Sequence, residues 1–277
     1  MKKRAAFFDI DGTLYRDSLM VEHFKKLIKY EIIDEKTWID HARGTFLNWD
    51  KRQGNYDDYL LEVCNLYVDS LTGVDWRSID FAADQVIKTK ADRVYKYTRS
   101  QIERHLKNGD IVIFISGSPD FLVKKMAEKY NVTDYLGSKY IMEDGKFSGK
   151  LVPMWDSESK NKAINELIEK YDIDLDESFA YGDTNGDINM LRRVGHPVAI
   201  NPTNELLSKL REDPVLKKKA DIIVERKDIL YKLKPDVQVL SYDDLSDWQI
   251  NILNIKSAAI TTALFNDFYI SLFYVLY

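Results

Sequence analysis

Ala5-Ala6-Phe7-Phe8-Asp9-Ile10-Asp11-Gly12-Thr13-Leu14 is the stretch on which the fold of this chain turns. Four apolar residues make a short buried strand. It runs directly into two carboxylates one residue apart and a glycine free to adopt positive φ. In a parallel sheet such a strand delivers its next residues to the carboxyl edge, where ligands of open α/β sheets bind. Taken alone, Asp-x-Asp-Gly is equally a turn whose aspartates accept from local backbone amides, and both readings stand at this point.

Working outward, short apolar runs recur at Ile111-Val112-Ile113-Phe114-Ile115, Phe179-Ala180-Tyr181, Val198-Ala199-Ile200 and Asp221-Ile222-Ile223-Val224, with helical segments between them. Strands alternating with helices predict an α/β, doubly wound, mostly parallel sheet covered on both faces. Tyr140 to Phe147 is the exception: Asp144-Gly145 suits the two positive-φ positions of a type I′ turn, so a β-hairpin is expected there. Between the first strand and the second, apolar residues fall at helical spacing (Phe24, Leu27, Ile28; Trp38, Ala42, Phe46, Trp49; Tyr56, Tyr59, Leu60, Val63, Tyr67) and no strand signal appears. The expected organisation is a core of residues 1–15 and 106–235, a helical cap of residues 16–105, and a C-terminal extension, 236–277. The cap's aromatic stripe reads as core before it reads as a ligand pocket, and its two chain crossings predict a hinge over the first loop.

The chain has 277 residues, 45% of them hydrophobic, enough to bury a sizeable core. Net charge is −5, from 40 basic against 45 acidic residues, and no basic block exceeds Lys217-Lys218-Lys219. That excludes nucleic acid as the expected partner. The single cysteine, Cys64, has no internal disulfide partner, and the four histidines lack zinc-ligand spacing, so a reducing cytoplasm is the expected compartment. The apolar run after Met1-Lys2-Lys3-Arg4 stops at Asp9, too soon for an export signal. Asn266 and Asp267 interrupt the apolar tail, so a buried or interface helix is expected there, without a membrane as partner and with a homodimer left open.

Three further segments join the first at the sheet edge. Ser116-Gly117-Ser118 follows a strand and precedes a helix start at Pro119-Asp120, which puts a hydroxyl and backbone amides where phosphate oxygens would accept from them; a plain Ser/Gly turn reads the same way. Lys160 stands at the head of a helix, with Lys162 competing for the same role. Asp183 and Asp187, in Gly182-Asp183-Thr184-Asn185-Gly186-Asp187, put two more acids at a strand end and suit a hard cation such as Mg²⁺.

In this order the four segments resemble the haloacid dehalogenase-like superfamily, and within it the phosphoserine-phosphatase-like branch with a helical cap after the first motif. The interval from the motif lysine to Gly182-Asp183 fits Lys160 rather than Lys162. The resemblance implies Mg²⁺ held by Asp9, Asp183 and the Asp11 backbone carbonyl, nucleophilic attack by Asp9, and acid–base catalysis by Asp11. It further implies that Ser116, the Gly117 amide and Lys160 hold the phosphoryl oxygens, and that Asp187 orients Lys160 or a metal-bound water. The activity so implied is Mg²⁺-dependent hydrolysis of a small phosphorylated metabolite through an aspartyl-phosphate. Transfer to another hydroxyl (a phosphotransferase or phosphomutase) and a non-enzymatic scaffold using the apolar tail are the competing readings. Two positions depart from the branch. Ser18 stands where phosphoserine phosphatases place a glutamate for the substrate amine, and Tyr59-Leu60-Leu61-Glu62-Val63 lacks their cap arginine, leaving Arg43 or Arg52 as substitutes.

Overall fold

Lys3–Phe8 (β1) is a sheet-centre strand: Ala5, Ala6, Phe7 and Phe8 are all 0% exposed. The computed structural model describes residues 2–41, 43–51, 53 and 56–240. The chain divides into two units, Met1–Pro235 and Asp236–Tyr277, and the fold below is that of the first. Arg52 and the apolar tail lie outside the described residues, as do the side chains of Trp49 and Tyr56.

After β1 the chain is helical: α1 (Leu19–Lys29), α2 (Glu35–His41), α3 (Arg43–Asp50), α4 (Tyr56–Leu71), α5 (Trp76–Lys90) and α6 (Lys96–Lys107). Strands and helices then alternate: β2 (Ile111–Pro119), α7 (Asp120–Tyr130), β3 (Asp134–Glu143), β4 (Lys146–Val152), α8 (Ser157–Tyr171), β5 (Ile173–Gly182), α9 (Ile188–Arg193), β6 (His196–Ile200), α10 (Asn204–Glu212), α11 (Pro214–Lys219), β7 (Asp221–Arg226) and β8 (Ile229–Leu233). They form one eight-stranded sheet in the order β4-β3-β2-β1-β5-β6-β7-β8. Its six inner strands are parallel; β4 and β8 are antiparallel edges. The doubly wound, mostly parallel α/β sheet expected from the sequence is therefore present.

Period-two alternation along β1 explains why both faces are covered. Ala6 and Phe8 pack with Leu14, Phe24, Ile102 and Leu122, whereas Ala5 and Phe7 pack with Ile164, Leu167, Met190 and Leu206 from α8, α9 and α10. The hairpin also forms as expected, with φ of 49° at Asp144 and 75° at Gly145. Two elements gave no sequence signal: β8, whose Ile229, Leu230 and Tyr231 are exposed, and the first half of β5, where Asp174, Asp176 and Glu177 interrupt the apolar run.

The two segments linking α1–α5 to the rest of this unit are paired with one another. Arg16 N–H donates to Arg93 O (2.9 Å) and Tyr95 N–H to Leu14 O (2.9 Å). A second attachment comes from the hairpin turn. Gly73 N–H donates to Phe147 O (2.8 Å), Phe147 N–H to Val74 O (3.1 Å) and Trp76 N–H to Gly145 O (2.8 Å). Lys125 of α7 adds ion pairs to Asp80 and Asp84 of α5, at 2.9 and 2.6 Å.

Candidate active site

Three strands bring the acids to one edge. Phe8 of β1 is in register with Phe114 of β2 and Tyr181 of β5, so Asp9 and Asp183 emerge just past the ends of β1 and β5, beside Ser116 in the last residues of β2. Asp9 N–H still donates to Tyr181 O (3.0 Å), which locks the nucleophile candidate to β5. Asp9 is 5% exposed.

Lys160 arrives from the first turn of α8. Asp156 caps that helix, accepting from the amides of Glu158 (2.9 Å) and Ser159 (2.8 Å). Lys160 is 2% exposed, and its ammonium donates to Asp9 Oδ1 (2.7 Å) and Asp187 Oδ1 (2.6 Å). Lys162 is exposed, so the geometry separates the two lysines that sequence spacing left in competition.

Asp187 is fully buried. Its second oxygen accepts from the amides of Asp183 and Thr184, both at 3.1 Å, which pins the turn that presents Asp183. Asp183 in turn accepts from the Thr13 hydroxyl (2.9 Å). Gly12 has φ +79°, and a Cβ there would collide with the Asp183 carboxylate, so the glycine is required twice over.

Asp11 points elsewhere. Its carboxylate accepts from Leu19 N–H at the start of α1 (2.7 Å) and from the Ser118 hydroxyl. Ser118 N–H donates to Ser116 Oγ (3.2 Å), and the Ser138 hydroxyl to Gly117 O (2.7 Å), which fixes the irregular C-terminal end of β2. Thr13 and Ser118 are site residues that sequence reading did not single out. Each is polar, buried and adjacent to a chosen residue, and that adjacency was the available signal.

Electrostatics follow from burial. Desolvation pushes the Asp9 carboxyl up to about 8 despite the pull of Lys160. It also raises Asp183 well above the usual carboxylate range, with Asp9 and Asp187 adding repulsion. Asp11 is pushed up to about 6 by burial, against hydrogen bonds from Ser118 and Leu19. Burial alone would lower the Lys160 ammonium, but Asp187 and Asp9 outweigh it and hold it above its ordinary value.

Asp9, Asp183 and Asp187 each offer an oxygen within 4.8 Å of the others. Three carboxyl groups share one ammonium, and burial with mutual repulsion holds Asp9 and Asp183 above the usual carboxylate range, a state that a cation would relieve; the donors are all hard oxygens. Such a set fits Mg²⁺, whose ligands lie at about 2.1 Å. The chemistry available here is attack by a carboxylate, with a protonatable acid near it and one ammonium, Lys160, to face an anionic substrate.

Other expectations resolve away from this centre. Ser18 caps α1, its hydroxyl accepting from Val21 N–H (3.4 Å). Trp38, Phe46 and Tyr59 pack against one another with ring centroids 5.5–6.4 Å apart and join the hydrophobic core, as the core reading of the stripe expected. Arg43 is exposed.

The sequence profile of the haloacid dehalogenase-like hydrolases matches residues 6–192. A phosphoserine phosphatase of Mycobacterium tuberculosis is 29% identical over 218 residues, covering 75% of this chain and 68% of that protein. The phosphoserine phosphatase of Methanocaldococcus jannaschii is 26% identical over 243 residues, covering 84% and 97%. Among solved structures, a protein of unknown function from Bordetella pertussis superposes with a TM-score of 0.62 at 16% identity, over 76% of this chain and 96% of that one. A substrate-bound phosphoserine phosphatase superposes with a TM-score of 0.54 at 21% identity, over 82% and 95%. At these identities the structural likeness is one of fold.

Proposed function

This chain belongs to the haloacid dehalogenase-like hydrolase family, and on that premise we propose that it is a Mg²⁺-dependent phosphatase, hydrolysing a small phosphomonoester through an aspartyl-phosphate on Asp9. The observation that carries this reading is the convergence of Asp9, Lys160, Asp183 and Asp187, from three separate segments, on one point.

Mg²⁺ held by Asp9, Asp183 and the Asp11 carbonyl would supply the positive charge that lets one anion approach another. Lys160, with Ser116 and the Gly117 amide, holds the phosphoryl oxygens through both displacements. Asp9 attacks phosphorus, the bond to the leaving oxygen breaks, and Asp11 gives that oxygen its proton. Asp11, now a carboxylate, takes a proton from water as the water oxygen bonds to phosphorus and the P–O bond of the Asp9 acyl phosphate breaks, which returns the Asp9 carboxylate and free phosphate. An acid held near 6 is suited to both roles. Asp187 keeps Lys160 and the Asp183 turn in place. Of the expected cap, residues 16–105, α1–α5 would form the cap itself, whereas α6 packs with the core through Thr98 and His105.

Two relatives are named for phosphoserine, but Ser18 is committed to a helix cap and supplies no carboxylate for a substrate amine. We therefore assign the chemistry and leave phosphoserine as one member of the test panel. The experiment is phosphate release from a panel of phosphomonoesters with Mg²⁺ and with chelator. Release that needs Mg²⁺ is expected; an inert protein across the panel would favour a scaffold role, and phosphorylation of an added alcohol without free phosphate would favour a transferase.

A further inference from the structure

Beneath the site lies a buried polar network that the reaction does not use. His105 of α6 is 1% exposed. Its Nδ1 lies 2.6 Å from Asp110 Oδ2, and Asp110 Oδ1 accepts from Arg4 Nε at 2.8 Å. A carboxylate accepts only, so Nδ1 carries the proton, and burial holds the imidazole below its ordinary pKa and therefore neutral. Nε2 is then an acceptor, receiving the Tyr181 hydroxyl at 2.9 Å and, at 3.3 Å, Arg104 Nη2.

Tyr181 connects this network to the catalytic edge. Its ring stacks on Phe8 with centroids 4.2 Å apart and planes 3° from parallel. Its carbonyl accepts from Asp9 N–H (3.0 Å). Phe8 immediately precedes Asp9, and Tyr181 stands two residues before Asp183. Tyr181 thus fixes both strand ends that carry the metal-binding carboxylates, and His105 fixes Tyr181. The helix that holds His105 also donates from the Thr98 hydroxyl to Thr13 O (2.8 Å), and Thr13 holds Asp183.

We propose that His105 is a positioning residue for the Asp9–Asp183 pair: accepting from Tyr181 OH, it sets the separation of the two carboxylates and so the affinity of the site for Mg²⁺. The inference rests on the function proposed above. It acts through strand alignment, since no atom of His105 reaches the reacting groups. The outer partners of metal ligands commonly govern affinity in this way.

The two imidazole nitrogens provide the test, because Gln places a polar atom near Nε2 and Asn places one near Nδ1. Mg²⁺ binding to the full chain is measured by calorimetry for His105→Gln, His105→Asn and Tyr181→Phe, each with its thermal midpoint and its kcat and KM. His105→Asn and Tyr181→Phe are expected to weaken Mg²⁺ by about threefold to tenfold and to lower kcat more than they raise KM. His105→Gln, which retains the contact to Tyr181, is expected to stay within about twofold of the parent even where its midpoint falls as far as that of His105→Asn. Unchanged Mg²⁺ affinity in Tyr181→Phe and His105→Asn, alongside a binding parent, overturns the inference alone. A parent that binds no Mg²⁺ overturns the proposed function and this inference together.

Discussion

Lys160 Nζ lies 2.7 Å from Asp9 Oδ1, and both side chains are removed from solvent. On the proposed mechanism a buried ammonium facing Asp9 would serve folding and catalysis at once, offsetting the charge of Asp9 and Asp187 at rest and that of the phosphoryl group during reaction. Lys160→Met keeps the aliphatic stem and removes the charge. We expect it to lower phosphate release by about 100-fold or more and to cost roughly 3–5 kcal/mol of stability without Mg²⁺, read by urea denaturation. Mg²⁺ should restore part of the stability and little of the rate; a variant with parental turnover would remove Lys160 from the mechanism.

Gly12 and Gly73 have nearly the same backbone, φ +79° and +81°, but only Gly12 has Asp183 against it. Each Gly→Ala change carries the strain of a left-handed residue, about 1–2 kcal/mol. Gly12→Ala should in addition displace the Asp183 carboxylate and abolish Mg²⁺ binding, while Gly73→Ala binds Mg²⁺ as the parent does. Equal Mg²⁺ affinities in the two variants would contradict the packing argument.

His23 is fully buried, with Tyr67 OH at 2.7 Å and Ile79 O at 2.9 Å from its ring nitrogens. Burial lowers its pKa from 6.5 to about 4. The folded state therefore keeps it neutral while the unfolded chain takes up a proton, so its contribution is whole above pH 6.5 and is lost as pH falls towards 4. The loss across that window is about 3 kcal/mol. His23→Gln should flatten the pH dependence of the urea midpoint between pH 6.5 and 4 relative to the parent; an unchanged slope would place the acid sensitivity elsewhere.

The hairpin contacts at Gly73, Trp76 and Phe147 bear on the proposed hinge at the two chain crossings. A hinge at the two chain crossings alone would leave these amides free to exchange. We expect all three to be protected from hydrogen exchange to a degree comparable with the sheet's inner strands, and protection no greater than that of exposed loop amides would show the clasp open in solution.

Much of this architecture is legible in the sequence because its signals are local. Ala5–Phe8 ending in Asp9 is a strand delivering an acid, and Phe179–Tyr181 before Gly182-Asp183 repeats the pattern, so parallel register alone brings Asp9 to Asp183. Lys160 is different: nothing local distinguishes it from Lys162, and only the family's interval and then its burial single it out. The partners of the site were hidden for the same reason. Ser118 on Asp11, Tyr181 on His105 and Phe147 on Gly73 and Val74 are contacts between distant segments, which composition and periodicity do not encode. β8 was missed because an exposed edge strand needs no apolar alternation.

Covalent chemistry at Asp9 underlies every proposed step, and Asp11→Asn makes it directly visible. With para-nitrophenyl phosphate the leaving group departs without needing a proton, so the first displacement proceeds, while the missing base stalls hydrolysis. Acid quenching after incubation with Mg²⁺, followed by peptide mass mapping, should find a near-stoichiometric phosphoryl adduct on Asp9. An adduct on another residue, or parental turnover of the same ester by Asp9→Asn, would contradict the account.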